Sequence, residues 1–123
     1  MKLVEAISRI DKLKSNPYDR GEKVAWISCL DGLVWQQTRG THEPRGKERF
    51  SPYTDETPDD RELLIPSPYE EVYLWWLAAQ IDYHNGEFTR YNNAIALFNT
   101  GFSAYVDQYH RTHSPEPAKT GFF

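Results

Sequence analysis

The chain has 123 residues, with four Trp, eight Tyr and six Phe, and carries a formal net charge of −4. That length fits one domain, and the aromatic share is enough for a small core. The acidic balance argues against a protein that grips nucleic acid, because such binding neutralises phosphates with Lys and Arg. The single cysteine, Cys29, excludes an internal disulfide and a Cys-based zinc site. In its apolar helical context it reads as a small buried hydrophobe. The opening MKLVEAISRIDKLK carries charge every few residues and is not patterned as a signal peptide. No run is long and apolar enough to span a membrane. Cytosolic synthesis and no membrane partner are the expectation.

Lys2 to Lys14 reads as an amphipathic helix, with Leu3, Ile7, Ile10 and Leu13 at helical spacing and Val4 beside them. Ser15-Asn16-Pro17 ends it. A second helix starts at Asp19, where Asp19 and Glu22 make a capping box. Val24, Ile27, Leu30 and Val34 form its stripe, Trp26 and Leu33 widen it, and the helix fades by Arg39-Gly40. Thr41 to Pro66 holds four prolines and blocky charge, basic at Arg45, Lys47 and Arg49, then acidic from Asp55 to Glu62. A loop this long within one domain is usually functional or disordered. Phe50 and Tyr53 are placed to pin it to the body, and a short hairpin is compatible with it.

The third helix is expected to begin sharply, with Ser67 as N-cap, Pro68 at N1 and Glu70 at N3. Asn85-Gly86 ends it. A fourth helix follows at once, from Glu87 to about His110, so the two must pack as an antiparallel hairpin. Phe88, Tyr91, Ile95, Phe98, Phe102, Tyr105 and Tyr109 fall in one narrow stripe, which reads as a packing seam rather than a ligand box. Ala94, Gly101 and Ala104 lie to one side and allow a neighbour to approach. The expected fold is therefore all-α: a bundle of about four helices over residues 1–112, a long loop at 41–66, and an extended polar tail over 113–123.

Trp75 and Trp76 stand side by side in the third helix. Helix neighbours point about 100° apart, so one core cannot bury both. Trp76 joins the core face with Tyr69, Val72, Tyr73 and Tyr83. Trp75 falls on the remaining side, between Glu71 and Asp82. There it is either a subunit-interface anchor, Trp being enriched at hot spots, or it is covered by the long loop of its own chain. Both hold at once if the loop comes from a neighbouring subunit. The blocky charges either pair between neighbours or are plain solvated charge.

Catalytic and cofactor motifs are not recognisable. The sequence has no GxxxxGK[ST], GxGxxG or GxSxG pattern. His110 and His113 have metal-ligand spacing but no third ligand is placed beside them. The chain reads as non-enzymatic, with no cofactor and no metal.

The run ELLIPSPYEEVYLWWLAAQIDYHNGEFTRYNNAIALFNTGFSAYVDQYHRTH, together with MKLVEAISRIDKLKSNPYDRGEKVAWISCLDG, resembles a family of small head-morphogenesis proteins of tailed phages and prophages, the head-tail connectors (adaptor or head-completion proteins). The pieces that carry the likeness are the ELLIP-Ser-Pro-Tyr-Glu-Glu segment, Gln80 to Tyr83, and Tyr91-Asn92-Asn93 to Phe98-Asn99. The Gly40 to Asp60 loop matches least. The resemblance implies a helical bundle that forms a twelve-fold ring beneath the portal protein, in the neck of the virion after assembly in the host cytoplasm. Such a ring extends the DNA channel, so DNA only passes through, and offers a platform to a head-closure (stopper) or tail-completion protein. A mildly acidic channel suits DNA that must not stick. In similar adaptors the C-terminal tail docks on the portal. By position that places Pro115, Lys119, Gly121, Phe122 and Phe123 in the docking segment, with the two phenylalanines as anchors. Read without the likeness, that tail is either a disordered end or a docking peptide.

A ring subunit needs two different contact patches. Trp75, Glu71 and Asp82 on one side, and Arg45, Arg49, Phe50 and Tyr53 of the loop on the other, are the candidates. The alternatives are another phage morphogenesis protein (head-closure, tail-completion or assembly chaperone) and a small helical DNA-binding regulator. The first would carry strand-rich patterning if it were a head-closure protein. The second calls for a basic recognition helix, and the Lys2–Lys14 helix comes closest.

Overall fold

A computed structural model describes residues 1–42 and 49–113. Among them the helices are α1 (Leu3–Leu13), α2 (Arg20–Gln37), a single turn α3 (Arg39–His42), α4 (Val72–His84) and α5 (Phe88–Thr112). No strand occurs among these residues. The one β-type contact is an isolated antiparallel bridge between Lys2 and Glu62. The fold is an all-α bundle, as the periodicity indicates.

Each helix boundary has a local cause. Asp19 and Glu22 form the expected capping box, the Asp19 carboxylate accepting from the Glu22 amide and Glu22 accepting from the Asp19 amide. Gly86 takes a positive φ of 76° just beyond α4, the left-handed geometry that lets the chain reverse into α5. The start of α4 differs from expectation. The helix begins at Val72, not Pro68, and Ser67 caps nothing. Residues 66–74 enter it through successive turns, with amide bonds from Tyr69 to Pro66, Val72 to Tyr69 and Tyr73 to Glu70. Glu70 is drawn away toward the Met1 ammonium, and Ile65 toward Tyr73, so the segment is already committed to tertiary partners.

The α4–α5 hairpin is the body. Val72, Leu77 and Ile81 of α4 are buried, as are Ala94, Phe98, Tyr105 and Tyr109 of α5. Phe98 stacks on Phe102 (5.3 Å) and tilts against Trp76 (5.0 Å); Tyr105 meets Tyr69 (5.6 Å). Gly101 sits where a Cβ would lie 2.6 Å from Val72 Cγ1 and 3.2 Å from the Trp75 ring, so only glycine admits this closeness. The seam is not uniformly core. Phe98 and Tyr105 are buried, Trp76, Ile95 and Phe102 are half-buried and packed against them, and Tyr91 lies half-buried outside the core against Tyr83. Phe88 and Tyr83, at the turn, are exposed and meet each other edge-on at the end of the hairpin (6.0 Å).

α1 and α2 pack on α4. Leu3, Ala6 and Ile10 of α1 are buried, together with Val24, Ile27, Leu30 and Val34 of α2. Val4, Leu13 and Leu33 are exposed rather than part of that stripe. Cys29 is exposed too, which corrects its reading as a buried hydrophobe. It lies on the outer side of α2, two residues from Ile27 and therefore about 160° around the helix from it.

Candidate functional site

The buried centre of the molecule is polar. Asp31 lies in line with Ile27 and Val34 on the inner face of α2 and is 0% exposed. Its Oδ2 accepts from the Tyr53 hydroxyl (2.7 Å) and the Leu64 amide (3.1 Å), and its Oδ1 from the Tyr73 hydroxyl (2.6 Å). Tyr73 in turn accepts from the Ile65 amide (2.8 Å), and the Tyr53 amide donates to Ser28 (2.9 Å). Burial pushes the Asp31 carboxyl above its ordinary range, against the pull of these donors and of the Arg39 charge. Burial and the same carboxylate push Tyr53 and Tyr73 upward. With both oxygens engaged and no exposure, Asp31 acts as a clamp. It holds residues 53 and 64–65 against α2 and α4.

That clamp shapes one flank. With Tyr53 fixed, Phe50 packs edge-on against it (5.3 Å) and lies beside Gly32. Phe50 and Arg49 then face the outer side of α2 across an open groove of about 710 Å³, whose other wall carries Cys29, Leu33 and Gln36. Arg49 is exposed and makes no ion pair with the described residues.

A second flank lies around Trp75. Glu71 and Asp82 bind Arg9 of α1 and Lys14 just beyond it, each at 2.9 Å. Val72 and Trp75 meet Gly101 of α5. Trp75 therefore stands between the α1-facing and α5-facing sides of α4, and α5 of its own chain partly covers it. α1 and α5 pack on α4 rather than on each other, leaving Trp75 and Ala78 half-buried between them. Leu13, four residues beyond Arg9, and Leu97, four before Gly101, border this strip. They are 68% and 51% exposed.

Two residues assigned to a subunit contact belong instead to the chain's own interior. Tyr53 is buried on Asp31. Asp82 is 2% exposed and held by Lys14. Trp75, Glu71, Arg49 and Phe50 retain accessible surface, Trp75 and Phe50 being half-buried. Arg45 and the tail residues Pro115, Lys119, Gly121, Phe122 and Phe123 lie outside the described residues. Trp76 donates its indole N–H to the Trp26 carbonyl (2.8 Å), which turns it toward α2. Sequence reasoning missed Asp31, although an acid aligned with Ile27 and Val34 inside AWISCLDGLVW was a usable signal. It also missed the exposure of Leu13, which helical spacing places on the stripe of α1.

Among the described residues no group of three or more His, Cys, Asp or Glu side chains is placed to hold a metal ion, and no helix is long and apolar enough to cross a membrane. No protein-family model, curated protein or solved structure significantly matches the chain.

Proposed function

We propose that this chain is a structural virion protein, a head-tail connector adaptor that assembles as a ring under a phage portal and extends the DNA channel toward the tail. The sequence likeness described above carries the phage and portal parts of this reading. The observation that supports an assembling subunit is the strip at Trp75. A tryptophan left half-buried between two exposed leucines, on the rigid face where α1 and α5 flank α4, is the composition of an interface core with aliphatic surroundings. The Lys14–Asp82 ion pair, its carboxylate 2% exposed, ties that face of α4 to the end of α1. On the other flank the Asp31 clamp fixes Tyr53, on which Phe50 packs edge-on.

Light scattering of the protein alone and mixed with portal, with a version lacking Thr120 to Phe123 in parallel, tests the reading. The expected result is a ring-sized complex on the portal that fails to form without the last four residues. A protein that stays monomeric and ignores the portal in every mixture would sink it. A salt-sensitive shift of duplex DNA in the same samples would turn attention to a regulator.

A further inference from the structure

We infer that the α-amino group of Met1 is a modification site that decides whether the start of the chain is locked: as a free ammonium it ties residues 59–63 and Glu70 to the start of α1, and an acyl group on the same nitrogen releases them. The ammonium donates to Glu62 Oε2 (3.1 Å) and Glu70 Oε2 (2.9 Å). The rest of the residue is fixed beside it. The Met1 side chain belongs to the core cluster, and the Met1 carbonyl accepts from the Leu63 amide (3.0 Å). The pairing runs on, with the Leu3 amide donating to the Arg61 carbonyl (2.9 Å), the Val4 amide to the Asp59 carbonyl (3.0 Å), and an isolated bridge joining Lys2 to Glu62. Moving the nitrogen out to solvent means breaking these contacts.

Acylation changes what this nitrogen can do. An ammonium has three donors and a positive charge; an N-terminal amide keeps one donor and no charge. Glu62, 68% exposed, can turn out to water, whereas Glu70, at 29%, loses a charge-assisted bond that it has less water to replace. The acyl atoms must also fit beside a residue that is already packed. Removing a formyl group is a hydrolysis: water adds to the formyl carbon, the carbon–nitrogen bond breaks, formate leaves, and the nitrogen gains the protons that make it an ammonium. Acetyl transfer from a thioester runs the other way, forming a carbon–nitrogen bond and releasing a thiol and a proton. The neighbouring Leu64 and Ile65 amides are held separately by Asp31 and Tyr73, so acylation opens residues 59–63 and leaves 64–65 in place. The inference is independent of the ring and portal reading.

The native Cys29 makes the test direct, because a synthetic thioester of residues 1–28 joins a 29–123 fragment at that cysteine and returns the full chain. Chains with a free, a formylated or an acetylated Met1 amine are compared by urea denaturation and amide exchange, so the two acyl groups are read separately. The free amine should give an unfolding constant roughly tenfold smaller than either acylated chain. Exchange in the acylated chains should rise at Leu3, Val4 and Leu63 while Leu64, Ile65 and α5 keep their protection. Glu70→Gln keeps the size of that side chain and removes its charge. In that background the gap between free and acylated chains should shrink to about twofold. Equal stability of the three chains would overturn the proposal, and so would a gap undiminished by Glu70→Gln, which would leave only a steric cost. Intact mass of the mature protein from its host should show a free amine on Met1. A chain that begins ahead of Met1, or one acylated throughout, would overturn the proposal as well.

Discussion

The α4–α5 hairpin is held by side chains stacked in an aromatic seam, whereas residues 49–66 are held by hydrogen bonds to the start of α1, to Arg20 and Ser28 of α2 and to the Asp31 carboxylate. In the hairpin, Phe98, Phe102 and Tyr105 repeat at helical spacing, and backbone hydrogen bonds are satisfied inside each helix. The segment 49–66 has no ladder of its own. Its amides at Tyr53, Leu64 and Ile65 find Ser28, Asp31 and Tyr73 instead. Non-regular backbone can be buried only when side chains supply the missing partners. A seam tolerates substitution in proportion to volume; a shared acceptor such as Asp31 takes several hydrogen bonds with it when it is removed.

Substitutions can break this comparison at either end. Phe98→Ala should cost about 4 kcal/mol, as a buried phenylalanine lost from a tight seam. Urea denaturation gives the value, and hydrogen exchange should rise throughout α4 and α5. Asp31→Ala should cost about 3 kcal/mol, since it strands two buried hydroxyls and an amide. Here exchange should accelerate first at Tyr53, Leu64 and Ile65 while α5 keeps its protection. If loop and hairpin instead lose protection together, the two regions are one cooperative unit and the contrast is wrong.

Gly101→Ala should cost about 1 kcal/mol. A helix favours alanine over glycine by roughly that amount, but the added methyl meets the stiff Val72 side chain at 2.6 Å, and overpacking costs more than the propensity returns. A variant more stable than the parent in a thermal melt would show that the hairpin can widen there.

The smallest effects are in pH dependence. Asp31 has its pKa raised by burial, so its contribution is fully present below its unfolded value and is lost as pH rises through the folded value. Asp31→Asn should flatten the slope of stability against pH just above the ordinary aspartate range. The Met1 ammonium is also raised above its ordinary 8.0. Burial lowers it, but the bonds and charges of Glu70 and Glu62 outweigh that. Its contribution is complete below pH 8 and fades as pH climbs past the folded value. Glu70→Gln should shrink the fall in Tm measured on the alkaline side; an unchanged alkaline limb would mean that the ammonium is not engaged.

Much of the fold was legible along the chain because helices are local. The α2 capping box, Gly86 beyond α4 and the three-and-four spacing of Phe98, Phe102 and Tyr105 each specify structure within a few residues. The two tryptophans posed a sound question, since two neighbours on one helix need two surfaces. What periodicity could not determine was which surface each received. Trp76 went to α2 through the Trp26 carbonyl, and Trp75 went partly to α5, through a glycine twenty-six residues away. Leu13, placed by spacing on a buried stripe, stayed exposed at the last residue of α1.

The sequence by itself determined the helices, the reversal at Asn85-Gly86 and the aromatic character of the hairpin, because all of these depend on contacts within a turn or two of backbone. Only the tertiary structure decided that Asp31 gathers Tyr53, Leu64 and Tyr73, that Arg49 and Phe50 come to line the α2 groove, and that α4 begins at Val72. Those outcomes join residues up to forty-two positions apart, and a buried carboxylate accepts whichever donors the packed helices bring to it.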